Sequence, residues 1–267
     1  MKFDFDGYIE SMKQSSMDYW FPLTKNLRVP QPVTEAVLTV GTNSWLEFIE
    51  APASFRDQVK KLVTTALTFG YPLFIRTDQA SAKHRYIGTC MVECEDRLLQ
   101  NIFNLIEENL LCDLNVQTLY FREFIKLDSL FTAFNKLPIA PERRYFVTDG
   151  EVVCHHPYWP EAAIRTPSDP DWKRQLKVLN HEDPCEIERL TEHAEVIGSK
   201  FSGSWSVDFA KGKDGIWYFI DMADARTSWH PKDCENYKKL SFETPERLAP
   251  VNVELEWIGD GEEGGKA

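Results

Sequence analysis

The sequence predicts an α+β protein of two lobes, and three observations carry that reading. Helical patterns and short strands share the first 111 residues. Antiparallel strand and hairpin signals dominate afterwards, and a helix is inserted among them. A regular alternation of strand and helix, as in a parallel wind, is missing. At 267 residues, 43% hydrophobic and 13% aromatic, the chain is long enough to bury one large core or two lobes.

Taken in order, residues 4–19 have an amphipathic pattern that predicts a short helix, and Pro22, Pro30 and Pro32 predict an extended linker after it. Ala36 to Val40 reads as a strand. Ser54 is placed to cap a helix through Val59, Leu62, Val63, Ala66 and Leu67 that ends at Gly70. Leu73 to Ile75 is a short buried strand, and the polar stretch from Arg76 to His84 follows it. A helix from about Asp96 to Leu111 shows an apolar face at Leu98, Leu99, Ile102, Phe103, Leu105 and Ile106. Leu119 to Ile125 is a strand, and Arg144–Val147 with Glu151–Cys154 forms a hairpin around the turn signal Asp149-Gly150. Glu186 to Ile197 is helical. The Gly- and acid-rich tail, 259–267, is expected to be disordered. These signals divide the chain into an N-terminal region 1–70, a first lobe 71–122, a second lobe 123–258 and the tail.

Composition excludes several classes. A formal net charge of −12 disfavours broad electrostatic binding to nucleic acid. No stretch approaches the ~20 apolar residues of a membrane span, and the acidic N-terminus does not read as a signal peptide. The six cysteines form no C-x-x-C pair and read as reduced, mostly buried thiols without a zinc-ligand cluster, so a cytoplasmic protein is expected. G-x-G-x-x-G and P-loop patterns are absent.

The last hairpin carries the most informative residues. Two apolar strands flank Gly212-Lys-Asp-Gly215, with Asp208 on one and Asp221 on the other. Pairing Lys211 with Ile216 sets Asp208 opposite Phe219 and puts Asp221 one diagonal step away on the same face, with Cβ atoms roughly 7–8 Å apart. Both carboxylates then reach one hard cation or a pair of them. A slip of one residue would send them to opposite faces. Arg76 ends a buried strand, Ser81 and Lys83 lie in the polar loop after it, and Arg144 begins a later strand. Fixed cations beside a dicarboxylate are what nucleotide phosphates with Mg²⁺ require. His155-His156 point oppositely on a strand, which argues against their holding zinc together. Tyr158, Trp159, Arg226 and His230 are candidates for the cleft rim.

The ordered set Phe74-Ile-Arg76, Ser81-Ala-Lys83, Leu119-Tyr-Phe-Arg122-Glu-Phe, Glu142-Arg-Arg144-Tyr-Phe and Val207-Asp208-Phe with Phe219-Ile-Asp221-Met resembles the ATP-grasp family. It is most similar to the clade of the eukaryotic cell-division-cycle protein that assists assembly of a translation initiation factor. The resemblance spans roughly residues 70–230 and implies an ATP-grasp fold with ATP between two α+β lobes. By position it implies that Arg76 and Lys83 contact phosphates, with Lys83 on a flexible lid and Ser81 also at the nucleotide. It also implies that the backbone at Glu123-Phe124 meets the adenine edge, Arg122 braces the hinge, and Arg144 faces the γ-phosphate or the acyl-phosphate. Lys83 and Arg144 are then the catalytic candidates, and Asp208 and Asp221 the Mg²⁺ ligands.

Two residues depart from the family pattern. Arg76 stands where the family more often has Lys. Ala223 occupies the second position of an acid-x-Asn pattern, which leaves Asp224 as the candidate substitute. The activity implied is ATP-dependent activation of a carboxylate as an acyl-phosphate for attack by an amine, on a peptide or protein among other substrates. The alternative is an ATP-binding assembly factor for a protein partner with little turnover. A kinase or RNA-modifying enzyme is a third and weaker reading.

Overall fold

The computed structural model describes residues 5–39, 45, 47–48, 50 and 52–240. Expectations for Val40 and for the tail 259–267 fall outside that range. Two four-stranded antiparallel sheets form the two lobes. The first has the order β1-β4-β2-β3, built from β1 (Thr34–Thr39), β2 (Leu73–Thr77), β3 (Met91–Val92) and β4 (Thr118–Glu123). Helices α3 (Arg56–Phe69) and α4 (Leu98–Leu111) accompany it. Leu62, Ala66, Leu98, Ile102, Leu105 and Ile106 from these helices pack with Leu73, Ile75, Leu119 and Phe121 of the strands. β1 and α3 come from the region expected to stand apart as 1–70, yet they belong to this sheet and its core.

The second sheet has the order β10-β9-β7-β8, from β7 (Glu142–Thr148), β8 (Glu151–Pro157), β9 (Ser204–Lys211) and β10 (Trp217–Asp224). Helix α6 (Pro184–Gly198) covers its inner face through Leu190, Ala194 and Ile197. The packing is close at the helix end: a Cβ on Gly198 would lie 2.3 Å from Val147 Cγ1, so only glycine fits there. A two-stranded sheet, β5 (Phe131–Ala133) with β6 (Leu137–Ile139), and helix α5 (Trp172–Leu179) form a third cluster. That cluster reaches Tyr86 and Cys90 of the first lobe. No helix among the described residues is long and apolar enough to cross a membrane.

The N-terminal expectation changes in detail. One helix was expected over 4–19, but the chain breaks into α1 (Phe5–Gln14) and α2 (Met17–Thr24), with Ser16 capping the second and Pro22 inside it. The proline sits late in a short helix, where few backbone bonds are lost. Ser54 does not cap α3. It lies in a 3₁₀ turn, Pro52–Phe55, and α3 starts at Arg56 without a side-chain cap. Asp149-Gly150 forms the expected turn, with φ of 50° and 90°.

Candidate functional site

The metal-candidate hairpin pairs out of the expected register, and a bulge restores the geometry. Trp217, not Ile216, pairs with Lys211, and Phe219 pairs with Phe209. Carried straight on, that one-residue slip would have separated the two aspartates. The register shifts between Phe219 and Asp221, so Ile220 is the extra residue and Asp221 comes directly opposite Asp208. On the other side of β9, Arg144 of β7 pairs with Asp208. Three neighbouring strands thus bring Arg144, Asp208 and Asp221 into one row.

These residues form the floor of a cleft of about 500 Å³ between the lobes. Arg76, Ser81, Lys83, Arg122, Glu123 and Phe124 line it from the first lobe and the hinge, and Glu142, Arg144, Tyr158, Asp208, Ile220 and Asp221 from the second. Among all residues lining it, five cations (Arg76, Lys83, Arg85, Arg122, Arg144) face five carboxylates (Glu108, Glu123, Glu142, Asp208, Asp221). In a chain of net charge −12, that balance makes the cleft far less acidic than the rest of the molecule.

Each aspartate is held by an arginine. Arg144 grips Asp208 with a two-pronged fork, Nε to Oδ1 at 2.8 Å and Nη2 to Oδ2 at 2.7 Å. Burial works against the Arg144 charge, but Asp208 outweighs it and holds the guanidinium above its ordinary range. Arg76, 3% exposed, donates to Asp221 Oδ1 at 2.8 Å, while Asp221 is itself 44% exposed. Arg122 donates to the Ile220 carbonyl at 2.6 Å, tying the hinge strand to the bulge. Burial and the neighbouring Arg76 charge press Arg122 down to about 9, which still leaves it cationic at neutral pH.

Lys83 crosses from the first lobe to the second. Its ammonium donates to the Tyr158 hydroxyl at 3.0 Å, lies 3.8 Å from Glu142 Oε2, and sits over the Tyr158 and Trp159 rings. Burial works against its charge, yet Tyr158 and Glu142 outweigh it and raise it above the ordinary lysine range. Glu142 is buried, and that burial pushes its carboxyl upward despite Lys83 and a hydrogen bond from Trp159 Nε1. Sequence reasoning did not single out Glu142 as a site residue. Its place at the start of β7, two residues before Arg144, was the available signal, because alternate strand residues share a face.

Two expectations need correction. Asp224 does not line the cleft. It lies on the opposite face of β10 from Asp221, 4% exposed, caps the turn Ala225–Thr227, and binds Arg226 through both oxygens. The segment expected as a loose lid is braced. Asp78 accepts from Gln117 N, Thr118 N and Ser16 Oγ, and Lys83–Gly88 is a 3₁₀ turn fastened by Asn101 and Asn104. His84 also stacks on Phe134 of the second lobe, at 4.4 Å. At the hinge, the Glu123 N–H is taken by the Val33 carbonyl and its carboxylate accepts from Val33 N, so that N–H is already occupied.

The remaining candidates separate. Tyr158 reaches the cleft, and Trp159 is buried behind it. His155 turns to Glu182 Oε1 at 2.9 Å, so the two adjacent histidines do point apart. His156 and His230 instead gather with Cys154 and Cys234, with all four ligand atoms within 4.8 Å of one another. The cysteines were expected to be mostly buried and to offer no ligand cluster, yet only Cys90 is buried, and Cys154 and Cys234 belong to a group of four that could hold a metal. Residues 74 or more apart in sequence meet only in the fold.

Residues 66–241 match the family described as ATP-grasp domain, R2K clade family 3. No curated protein matches the chain by sequence. Among solved structures, Cdc123 from Schizosaccharomyces pombe is similar at 11% identity and a TM-score of 0.51, over 80% of this chain and 84% of that one. A biotin carboxylase in a β,γ-ATP complex from Campylobacter jejuni is similar at 15% identity and a TM-score of 0.52, over 85% of this chain and 43% of that one. A carboxyaminoimidazole ribonucleotide synthase from Aspergillus clavatus complexed with ATP aligns at 13% identity and a TM-score of 0.48. That alignment covers 80% of this chain, which spans only 45% of the synthase.

Proposed function

This chain belongs to the ATP-grasp family, and on that premise we propose that it is an ATP-dependent, carboxylate–amine ligase-like enzyme. The observation that supports this reading is the row Arg144–Asp208–Asp221 facing Arg76 and Lys83 across the cleft. The residues fit a magnesium-bound polyphosphate. Asp208 and Asp221 supply hard oxygen donors on one face, and the cations surrounding them are fixed by burial. Mg²⁺ held by Asp208 and Asp221 would share the negative charge of the phosphate oxygens.

The chain's own residues do the rest. Arg76 and Arg144 pair with the aspartates and are positioned to turn their donors to phosphate oxygens when a cation takes their place. Lys83, steadied by Tyr158 and Glu142, presents a fixed ammonium from the first lobe. Arg122 keeps the hinge strand in register with the bulge at Ile220. The substrate's carboxylate oxygen attacks the γ-phosphorus, the bond to the ADP oxygen breaks, and an acyl-phosphate forms. An amine then displaces phosphate. The protein's contribution is positioning and fixed charge, which suits phosphoryl transfer. The His84–Phe134 stack and the Lys83–Glu142 pair keep the lobes together and restrict water during the step.

Mg-ATP, a panel of carboxylates and hydroxylamine as the amine test this reading. Stoichiometric ADP release with formation of a hydroxamate is expected for one of the carboxylates. One observation favours a second reading, an ATP-holding assembly factor for a protein partner: Ala223 leaves the acid-x-Asn pattern incomplete, and Asp224 does not substitute for it. Tight ATP binding without ADP formation, together with a stoichiometric protein partner on affinity purification, would replace the ligase reading with that one.

A further inference from the structure

Beyond Arg144, away from the cleft, four side chains converge that the proposed chemistry does not use. Cys154 and His156 alternate along β8 and so project from one face of the strand, while His155 between them turns to Glu182. His230 and Cys234 come from the segment after β10 and are spaced H-x-x-x-C. The four ligand atoms all lie within 4.8 Å of one another. Two thiols with two imidazoles are a set that zinc takes in closed structural sites. Ordinary Zn–S and Zn–N bonds at a tetrahedral angle separate sulfur from nitrogen by about 3.6 Å. Cys154 Sγ and His230 Nε2 are 3.5 Å apart.

A thiol–imidazole hydrogen bond would account for that contact but for little else. His156 Nε2 is buried without any hydrogen-bond partner, and His230, whose Nε2 faces Cys154, is 3% exposed. Buried orphan nitrogens are uncommon and need a cause. A disulfide between Cys154 and Cys234 would leave His156 Nε2 just as unpaired. Mg²⁺ or Ca²⁺ does not suit sulfur ligands.

We propose that Cys154, His156, His230 and Cys234 bind a structural Zn²⁺ ion. Four protein ligands fill a tetrahedral shell, so the role is to hold the chain and not to activate water. The segment it would hold matters to the cleft, because Trp229, next to His230, gives its carbonyl to Arg144 Nη1 at 3.1 Å. His230 also stacks on Phe146 at 4.1 Å, and Asn236 donates to the Val153 carbonyl at 3.1 Å. Zinc would thus fasten the segment 229–236 to β7 and β8, and fix one side of the arginine that grips Asp208. The ligand set stands whether or not the cleft turns over ATP.

The full-length chain, purified with reductant and without chelator, tests the site by elemental analysis. About one equivalent of zinc per chain is expected, retained in His155→Ala and lost in Cys234→Ser and His156→Ala. If those two variants do not fold, Co²⁺ exchange into the wild-type protein carries the test, and the visible absorption of tetrahedral, thiolate-bound cobalt is expected. Folded wild-type protein with reduced thiols that takes up neither zinc nor cobalt would overturn the proposal. So would a Cys154–Cys234 disulfide in the protein as isolated, or equal zinc loss in His155→Ala.

Discussion

Arg144 stands between two sets of metal-type donors that differ in nearly every physical respect. On one side, Asp208 and Asp221 are hard oxygen donors in an open cleft, each already held by an arginine. On the other, Cys154, His156, His230 and Cys234 are sulfur and nitrogen donors packed against Phe146 and Tyr237, and His156 Nε2 has no partner. The first set has internal cations to pair with, so it need not bind metal to fold. The second set has no such cation among its own members, and the proposed zinc would supply one.

Arg144→Met breaks the comparison where its two halves meet. It leaves Asp208, 5% exposed, without its two-pronged partner and frees the Trp229 carbonyl. Removing one partner of a buried pair costs about 3–5 kcal/mol, so urea denaturation should show a fall of that order. Zinc content should be unchanged. Loss of zinc with the arginine would mean that the two donor sets form one unit.

Asp224→Ala separates the cleft from its sequence neighbour. The carboxylate caps a turn and binds Arg226, so stability should fall by about 1 kcal/mol. The Mg²⁺-dependence of ATP binding should remain as in the wild type. A lost Mg²⁺-dependence would return Asp224 to the ligand set.

Lys211→Met has the smallest effect and tests an ion pair outside both sets. Burial pushes Glu186 upward, but the Lys211 ammonium at 2.6 Å outweighs it and holds the carboxyl below its ordinary value of 4.5. A depressed carboxyl stabilises the fold above that value, and the contribution fades as pH falls through the lower native one. Solvent screening keeps it under about 1 kcal/mol. The melting-temperature gap between wild type and variant should be constant from about pH 6 to 8 and close below about pH 4.5. A gap that widens in acid would contradict this assignment.

The two donor sets also differed in how much of them the sequence disclosed. Asp208 and Asp221 were legible because a hairpin is local and its strands carry a period of two. Even so, their pairing depended on a bulge at Ile220 that no turn signal announced. Arg76, Lys83 and Arg144 were legible as an ordered series, because strand ends and the loop after them deliver side chains to one edge. The zinc tetrad was not. Its halves, Cys154 with His156 and His230 with Cys234, each look incomplete, and the sheet order β9-β7-β8 is needed to bring them together. Asp224 misled because nearness in sequence was taken for nearness in space, whereas a strand sends residues three apart to opposite faces. The hairpin β5–β6 and helix α5 were missed because short elements carry too few periods to rise above the loops around them.

The central claim is that the cleft holds ATP through a metal on Asp208 and Asp221. Calorimetric titration of ATP, with Mg²⁺ and with EDTA, into wild type and into the Asp208→Asn/Asp221→Asn double variant tests it most directly. The wild type should bind at least about tenfold more tightly with Mg²⁺, a difference of about 1.4 kcal/mol. The double variant should bind ATP equally with and without the ion. An undiminished Mg²⁺ effect in the double variant, or no ATP binding by the wild type, would contradict the claim.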